Sequence, residues 1–230
     1  MGHHPGCRLL RVNETTPTTT TSQPRFTIRP AQTTDPAEVD RLYDICLRTG
    51  ASGEDASPLS ERPRLLGDVY LGAYLRLEPE LAFVLVDGSV EGPEAVVGYV
   101  IGTRDTAAFE ETLEREWWPE VEQRYPAGSA PEGSYDAGIV SRVHDRSRTD
   151  PAVVAEFPAH LHVDLLPEGQ GGGNGRRMLE TLFDALRDLG VPGVHLGVGA
   201  DNTRAIGFYE HLGFRRLGDG GWQLGLDLRR

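Results

Sequence analysis

The sequence is short of cysteine, of positive charge and of long apolar runs. Cys7 and Cys46 are its only cysteines in 230 residues. One falls in a tail-like segment and the other in an amphipathic pattern, so no disulfide framework is expected and a reducing, cytoplasmic setting is. Lys and Arg together number 23 against 35 Asp and Glu, a net charge of −12. That balance argues against nucleic acid and anionic membrane surfaces as partners, since both need basic surface. It leaves room for a cationic substrate, although an acidic surface also serves solubility alone. No apolar run reaches the ~18 residues of a membrane span. Arg8-Leu9-Leu10-Arg11 lacks the apolar region of a signal peptide.

What is present suits a soluble domain, with 38% hydrophobic and 25% charged residues. Residues 1–24 include "NETTPTTTTSQP", polar and aperiodic, and read as a flexible tail with no catalytic role. Its His3–His4 pair reads as incidental. Residues 25–230 read as a single domain. Phe26 and Ile28 alternate with polar neighbours, which predicts a strand. Asp35 opens a helix with Val39, Leu42, Tyr43, Cys46 and Leu47 on one face, closed by Gly50. A second helix is expected over 62–77, then two strands in "LAFVLVD" and "AVVGYVIG". Phe109, Leu113, Trp117 and Val121 recur every four residues and predict a third helix over 105–126, its glutamates solvated. Residues 127–157, rich in Gly, Pro, Ser and Arg, read as loop with one short helix. The remainder alternates: a strand in "AHLHVDLL", a helix over 176–189, a strand in "GVHLGV", a helix in "NTRAIGFYEHLG" with Asn202 as N-cap, and two last strands in "FRRLG" and "WQLGLDL". This order predicts a mixed α/β domain, a central sheet flanked by helices, with a long insertion before the strand at His160 to Leu165.

One junction stands out. "HVDLLPEGQGGGNGRRML" runs a strand through Gly171, Gly172, Gly173 and Gly175 into a helix. Glycine there costs backbone entropy. A loop with few side chains turns several N–H groups toward one point, and the next helix adds its unpaired donors and its dipole. Together they hold a phosphate or pyrophosphate. The plain alternative is a tight strand-to-helix turn. The loop is not G-x-x-x-x-G-K followed by Ser or Thr. Nor is it G-x-G-x-x-G, because Arg176 and Met178 stand where the last glycine would be.

The run Gln170-Gly171-Gly172-Gly173-Asn174-Gly175 reads as Gln/Arg-x-x-Gly-x-Gly/Ala, preceded by Pro167-Glu168. It resembles the acetyl-coenzyme A pyrophosphate loop of the GNAT acetyltransferase superfamily. Downstream, Leu196-x-Val198-x-x-x-Asn202-x-x-Ala205-x-x-Phe208-Tyr209-x-x-x-Gly213-Phe214 resembles that family's second motif. The resemblance is clearest over 160–214. "FPAHLHVDLLPEGQG" and the tryptophan pair in "EWWPEVEQRYP" narrow it to bacterial GNAT proteins similar to the acetyltransferase-like C-terminal domain of O-GlcNAcase.

The resemblance implies the GNAT fold, acetyl-CoA as cosubstrate and a primary amine, on a small molecule or peptide, as acceptor. It makes Gln170 through Gly175 and Arg176 the coenzyme loop, and Leu165 the main-chain donor to the pantetheine arm. Asn202 and Phe208 fall at coenzyme-side positions, though an N-cap and an apolar anchor explain them nearly as well. Tyr209 matches the general acid beside the sulfur, with packing as the alternative. The residues add their own signal. His160, His162 and Asp164 alternate and share a strand face. "AHLH" resembles the paired histidines of arylalkylamine acetyltransferases, one residue nearer the loop. His162 is the first choice for the base, with Asp164 orienting it or the amine, then His160, then a water chain. A metal on these three is the weaker reading, since no further ligand cluster accompanies them. The rivals to an enzyme are a non-catalytic acyl-CoA-binding domain and, more weakly, a nucleotide-binding module.

Overall fold

The structure is a computed structural model that describes residue 1 and residues 24–199, 202–218, 220 and 223–229. Most of the expected tail, with Cys7 and the His3–His4 pair, lies outside the described residues. Seven strands appear where the alternating runs predict them: β1 (Phe26–Pro30), β2 (Ala82–Asp87), β3 (Val96–Thr103), β4 (Ala159–Leu165), β5 (Gly193–Gly197), β6 (Arg215–Leu217) and β7 (Gln223–Asp227). They form one sheet in the order β1-β2-β3-β4-β5-β7-β6. Every neighbouring pair is antiparallel except β4 and β5, which run parallel.

Two apolar layers cover the sheet. On one face lie α1 (Pro36–Thr49), α2 (Leu65–Tyr70), α3 (Gly72–Leu77), α4 (Thr106–Glu116), α5 (Trp118–Arg124) and α6 (Tyr135–His144). On the other lies α8 (Asn174–Asp188), which buries Met178, Leu179, Leu182, Phe183 and Leu186 against Val100, Leu161 and Val194. Each such side chain contributes about 1.5–3 kcal/mol on leaving water. The short α7 (Pro151–Glu156) precedes β4, and α9 (Thr203–His211) sets Phe208, Tyr209 and Leu212 against the α8 layer.

Three expectations need correction. The helix expected over 62–77 is two helices, parted at Leu71 with φ −132° and ψ −53°. A Cβ on Gly67 would lie 2.2 Å from the Tyr43 ring, and one on Gly72 2.2 Å from its hydroxyl. The segment therefore bends around Tyr43 while keeping one side apolar, and the periodicity runs through the break. The helix expected over 105–126 parts at Trp117, because Pro119 cannot donate to the helix ladder and belongs in a first turn. Residues 127–157 hold two helices rather than loop with one. Ser134 caps α6 and Asp150 caps α7, each accepting from a backbone N–H. The apolar face of α6 is only Ile139, Val140 and Val143, too narrow to emerge from its Gly- and Ser-rich surroundings.

The helices on the first face meet at Asp68. Its carboxylate is 1% exposed and accepts from Tyr43 Oη at 3.0 Å, Tyr125 Oη at 2.9 Å and Arg124 Nη1 at 2.6 Å. Its carbonyl accepts from Trp117 Nε1 at 2.8 Å. Arg146 fastens the insertion further, reaching Glu114 at 3.1 Å and Glu122 at 2.8 Å. All 23 basic side chains of the sequence are arginine; there is no lysine. Asp68→Ala strands two buried hydroxyls and a guanidinium, and is expected to lower the unfolding free energy by about 2–4 kcal/mol. Arg124→Gln, at a half-exposed partner, is expected to cost about 1 kcal/mol. Urea denaturation of the two variants measures both.

Candidate functional site

The site begins where a ladder stops. β4 pairs with β3 through six residues, Gly98↔Leu165 to Thr103↔His160, but with β5 only at Ala159↔Val194 and His160↔His195. Beyond that the two strands part, and β5 spends its other edge on β7. The Leu166 N–H donates to Val97 at 2.9 Å. Backbone direction alternates along a strand, so the N–H and C=O of Val163 and Leu165 face the gap. Gln170 Nε2 takes the Leu165 carbonyl at 3.0 Å. The Leu165 N–H remains directed into the opening.

The glycine loop follows immediately. Gly171, Gly172 and Gly173 have φ of +79°, +57° and +77°, a left-handed run that side chains other than glycine resist. Gly173 is the N-cap of α8. Among the described residues, each helix of nine residues or more has a side-chain N-cap except α8, the longest. No described group accepts from the N–H of Gly171, Gly172, Gly173, Gly175 or Arg176. These donors sit at the positive end of a 15-residue helix, which suits a phosphate.

The side chains around the loop divide the work. Asn174 is 2% exposed and turned inward, donating to the Gly169 carbonyl at 2.9 Å and accepting from Arg177. It shapes the loop from behind. Gly175 has no positive φ; a Cβ there would lie 3.3 Å from Phe208, so it serves close packing of α8 on α9. Gln170 Oε1 accepts from Arg204 at 3.1 Å. Arg176 is exposed and pairs with Glu180 at 2.7 Å. Asn202 accepts from Ala205 N at 3.0 Å as N-cap and donates to Ser52 O at 3.2 Å, tying α9 to the loop after α1.

His160, His162 and Asp164 do share a face, the one turned toward α1 and α3. His160 has both ring nitrogens engaged, Nε2 with Tyr74 Oη at 2.5 Å and Nδ1 with Thr106 Oγ1 at 2.8 Å. The Thr106 hydroxyl proton goes to the Pro158 carbonyl at 2.7 Å. Nδ1 therefore donates and Nε2 accepts, a neutral ring with no nitrogen left to take a substrate proton. That corrects its place among the possible bases. His162 lies half-buried against Tyr70 and Tyr74, centroids 6.2 and 5.5 Å away, and no hydrogen bond to a described residue engages it. Burial lowers its pKa to about 4. Asp164 lies beside the hydroxyls of Tyr99 and Thr49; burial raises its pKa and those hydroxyls offset part of the rise. Burial and the charge of Asp164 hold the Tyr209 hydroxyl above its usual 10. Burial pushes the Cys46 thiol, also near Asp164, up to about 12. No group of three or more His, Cys, Asp or Glu among the described residues could hold a metal ion. Tyr74, Thr106 and Arg204 escaped the sequence reading. The first two fall inside the helices expected over 62–77 and 105–126, and Arg204 inside the motif around it.

A gap in the sheet, an unpaired strand edge and an uncapped helix behind three left-handed glycines are the marks of an acyl-transfer fold. The Acetyltransferase (GNAT) family matches residues 53–214, and the chain belongs to that family. The solved structure of SsHAT is 40% identical, with a TM-score of 0.79, covering 90% of this chain and 100% of that one. Protein O-GlcNAcase of Rattus norvegicus is 28% identical over 193 residues, 82% of this chain, so the narrower likeness expected from the sequence is found. The chain spans about a fifth of that protein's length (20%). Mycothiol acetyltransferase of Rhodococcus opacus (strain B4) is 31% identical over 127 residues, 49% of this chain and 40% of that protein. The NatC complex bound to Gag peptide and CoA shares the fold at 12% identity and a TM-score of 0.52, covering 88% and 98% of the two chains. No helix among the described residues is long and apolar enough to cross a membrane.

The histidines make stability depend on pH. His160, His162 and His195 all titrate below 6.5 in the fold because burial disfavours their charged forms. In the unfolded chain each takes a proton near 6.5. Below that pH the unfolded state binds more protons, so stability falls as pH drops from about 6.5 toward the folded values. Asp164, raised by burial, acts in the opposite sense at more acid pH. The urea midpoint is expected to fall between pH 7.5 and pH 5, and His162→Asn to flatten that fall; titrations at several pH values measure both.

Proposed function

We propose that this chain is an acetyl-CoA-dependent N-acetyltransferase that acetylates a primary amine by direct attack. The observation that carries the proposal is the gap beside β4, with a free Leu165 N–H opening onto the uncapped N-terminus of α8. Those groups fit acetyl-CoA. The N–H groups of Gly171, Gly172, Gly173, Gly175 and Arg176 suit its pyrophosphate, while Gln170 and Asn174 hold the loop in shape. The edge at Val163 and Leu165 suits the amides of the pantetheine arm, with Phe208 and Asn202 on the α9 side. The mycothiol acetyltransferases among the relatives support acyl transfer.

The state of Cys46 supports direct attack. A buried thiol that titrates near 12 is a poor carrier for an acetyl group. The amine adds to the thioester carbonyl, which the Leu165 N–H polarises as charge develops. His162 takes the amine proton; it is neutral at any pH well above 4. Asp164 orients the amine beside it. Tyr209 remains protonated at neutral pH and gives its proton to the departing thiolate. His160, locked by Tyr74 and Thr106, positions the strand. A non-catalytic acyl-CoA-binding domain is the second reading, favoured by the weak basicity of His162. A cytoplasmic location belongs to the first reading, since Cys46 is a free thiol.

Two measurements test this. Acetyl-CoA is expected to bind in calorimetry, and Gly173→Val to lose most of that affinity with an unchanged circular dichroism spectrum, because a β-branched residue resists φ +77°. Full affinity in a folded variant removes the phosphate-cradle role. Thiol release with a panel of amines, peptides and aminosugars separates enzyme from binding domain. With any accepted amine, Tyr209→Phe is expected to lower kcat by roughly 10²–10⁴ with little change in coenzyme affinity. An unaltered single-turnover rate would mean that the tyrosine only packs.

A further inference from the structure

Arg142 differs from the other arginines around it. Arg146 pairs with Glu114 and Glu122, and Arg148 with Glu111. Arg142 has no carboxylate among the described residues within ion-pair distance. Asp145, one turn further along, accepts from Ser141 Oγ at 3.0 Å instead. The guanidinium is exposed and faces the hydroxyl of Tyr70, with Tyr135 further off. A cation with no ion-pair partner among the described residues, in a chain of net charge −12, is a natural place for an anion.

Its surroundings lead to the site. Tyr135, Gly138 and Arg142 stand at i, i+3 and i+7, along one stripe of α6. Tyr135 Oη donates to the Gly50 carbonyl at 2.8 Å, which sets this stripe against the end of α1, where Thr49 borders Asp164. Gly138 lies in mid-helix, where glycine costs about 0.5–1 kcal/mol relative to alanine. A Cβ on it would meet nothing within 4 Å, so the stripe faces open space between its two polar ends. Tyr70 packs in turn against His162, two residues before Asp164 on the same strand face. The side chains thus run from a guanidinium through Tyr70 and His162 to a carboxylate.

We propose that Arg142 forms an acceptor subsite for an anionic group, a carboxylate or a phosphate, so that the acetylated amine belongs to a molecule with an anion at its far end. The amine end of this inference rests on the acetyltransferase reading; the anion end does not. The planar guanidinium matches either anion with two parallel N–H donors, and the Tyr70 hydroxyl adds a third beside them. The amine lies toward Asp164, so a zwitterionic acceptor meets the opposite charge at each end.

The probes are ω-amino acids with roughly three to seven methylenes, lengths set by the reach of an extended chain. They are joined by ω-aminoalkyl phosphates of the same lengths and by the matched unsubstituted alkylamines. Each is followed by thiol release, and by calorimetric titration into the protein saturated with CoA. At least one anionic series is expected to exceed its alkylamine partner by about tenfold or more in kcat/KM and in affinity. Arg142→Gln is expected to abolish the advantage, Arg142→Lys to keep part of it, and neither to alter acetyl-CoA affinity. Whichever series leads identifies the anion. Equal values for charged and uncharged acceptors, or an advantage that survives Arg142→Gln, overturns the subsite. Should no amine be turned over, calorimetry decides. Arg142-dependent binding of an anionic series then upholds the subsite and removes the enzymatic reading. Its absence overturns the subsite.

Discussion

Two residue pairs hold β4 to β5 before the strands part, and the chemistry open to this molecule depends on that parting. Inside a sheet nearly every N–H and C=O has a partner, because a buried unpaired group costs what a lost hydrogen bond costs. Here the inner edge of β4 is left open over Val163 and Leu165, and Gln170 takes up one carbonyl. The opening does not loosen the sheet, since β3 grips β4 through six pairs and β7 grips β5 through five. A slot lined by amide groups results, an edge that suits a ligand with amides of its own. The uncapped end of α8 lies at the mouth of the same slot. One edge and one helix end thus supply directional donors that no side chain has to provide.

The opposite face of β4 follows from the same geometry. Alternation puts Ala159 and Leu161 into the α8 core and turns His160, His162 and Asp164 toward α1 and α3. Burial acts on all three but leaves them different. His160 is neutral and bound at both nitrogens, His162 is neutral and unengaged, and Asp164 lies beside two hydroxyls. Identical spacing in the sequence therefore conceals one fixed group and two available ones. Desolvation weakens His162 as a base while keeping it unprotonated, and a raised Tyr209 stays able to donate.

Most strands and α8 were legible because their apolar residues are clustered or spaced as the element requires, and α9 was legible through its Asn202 cap and the glycine after it. The glycine loop was legible because a left-handed run constrains backbone more than side chain, and glycine records that constraint directly. What hid was set by contacts distant in sequence. The break at Leu71 answers to Tyr43, which lies on another helix and leaves the 62–77 periodicity intact. Asn174 and Gly175 fit the loop pattern, but one props it from behind and the other packs on Phe208. The lock on His160 needs Tyr74 and Thr106, 86 and 54 residues away. The break at Trp117 could have been read, since Pro119 announced it.

The ion pairs that fasten the insertion, Arg146 to Glu114 and Glu122 and Arg124 to Asp68, are made by guanidinium groups, as are the other ion pairs among the described residues. A lysine amine loses its charge on acetylation and with it the pair it makes. A guanidinium stays protonated at any pH the fold experiences and is a poor nucleophile toward a thioester. In a family built around an activated acyl group, a chain of this composition exposes no side-chain amine to its own reagent. Its charge pattern is chemically inert toward self-modification, so stray acyl transfer leaves these fastenings intact.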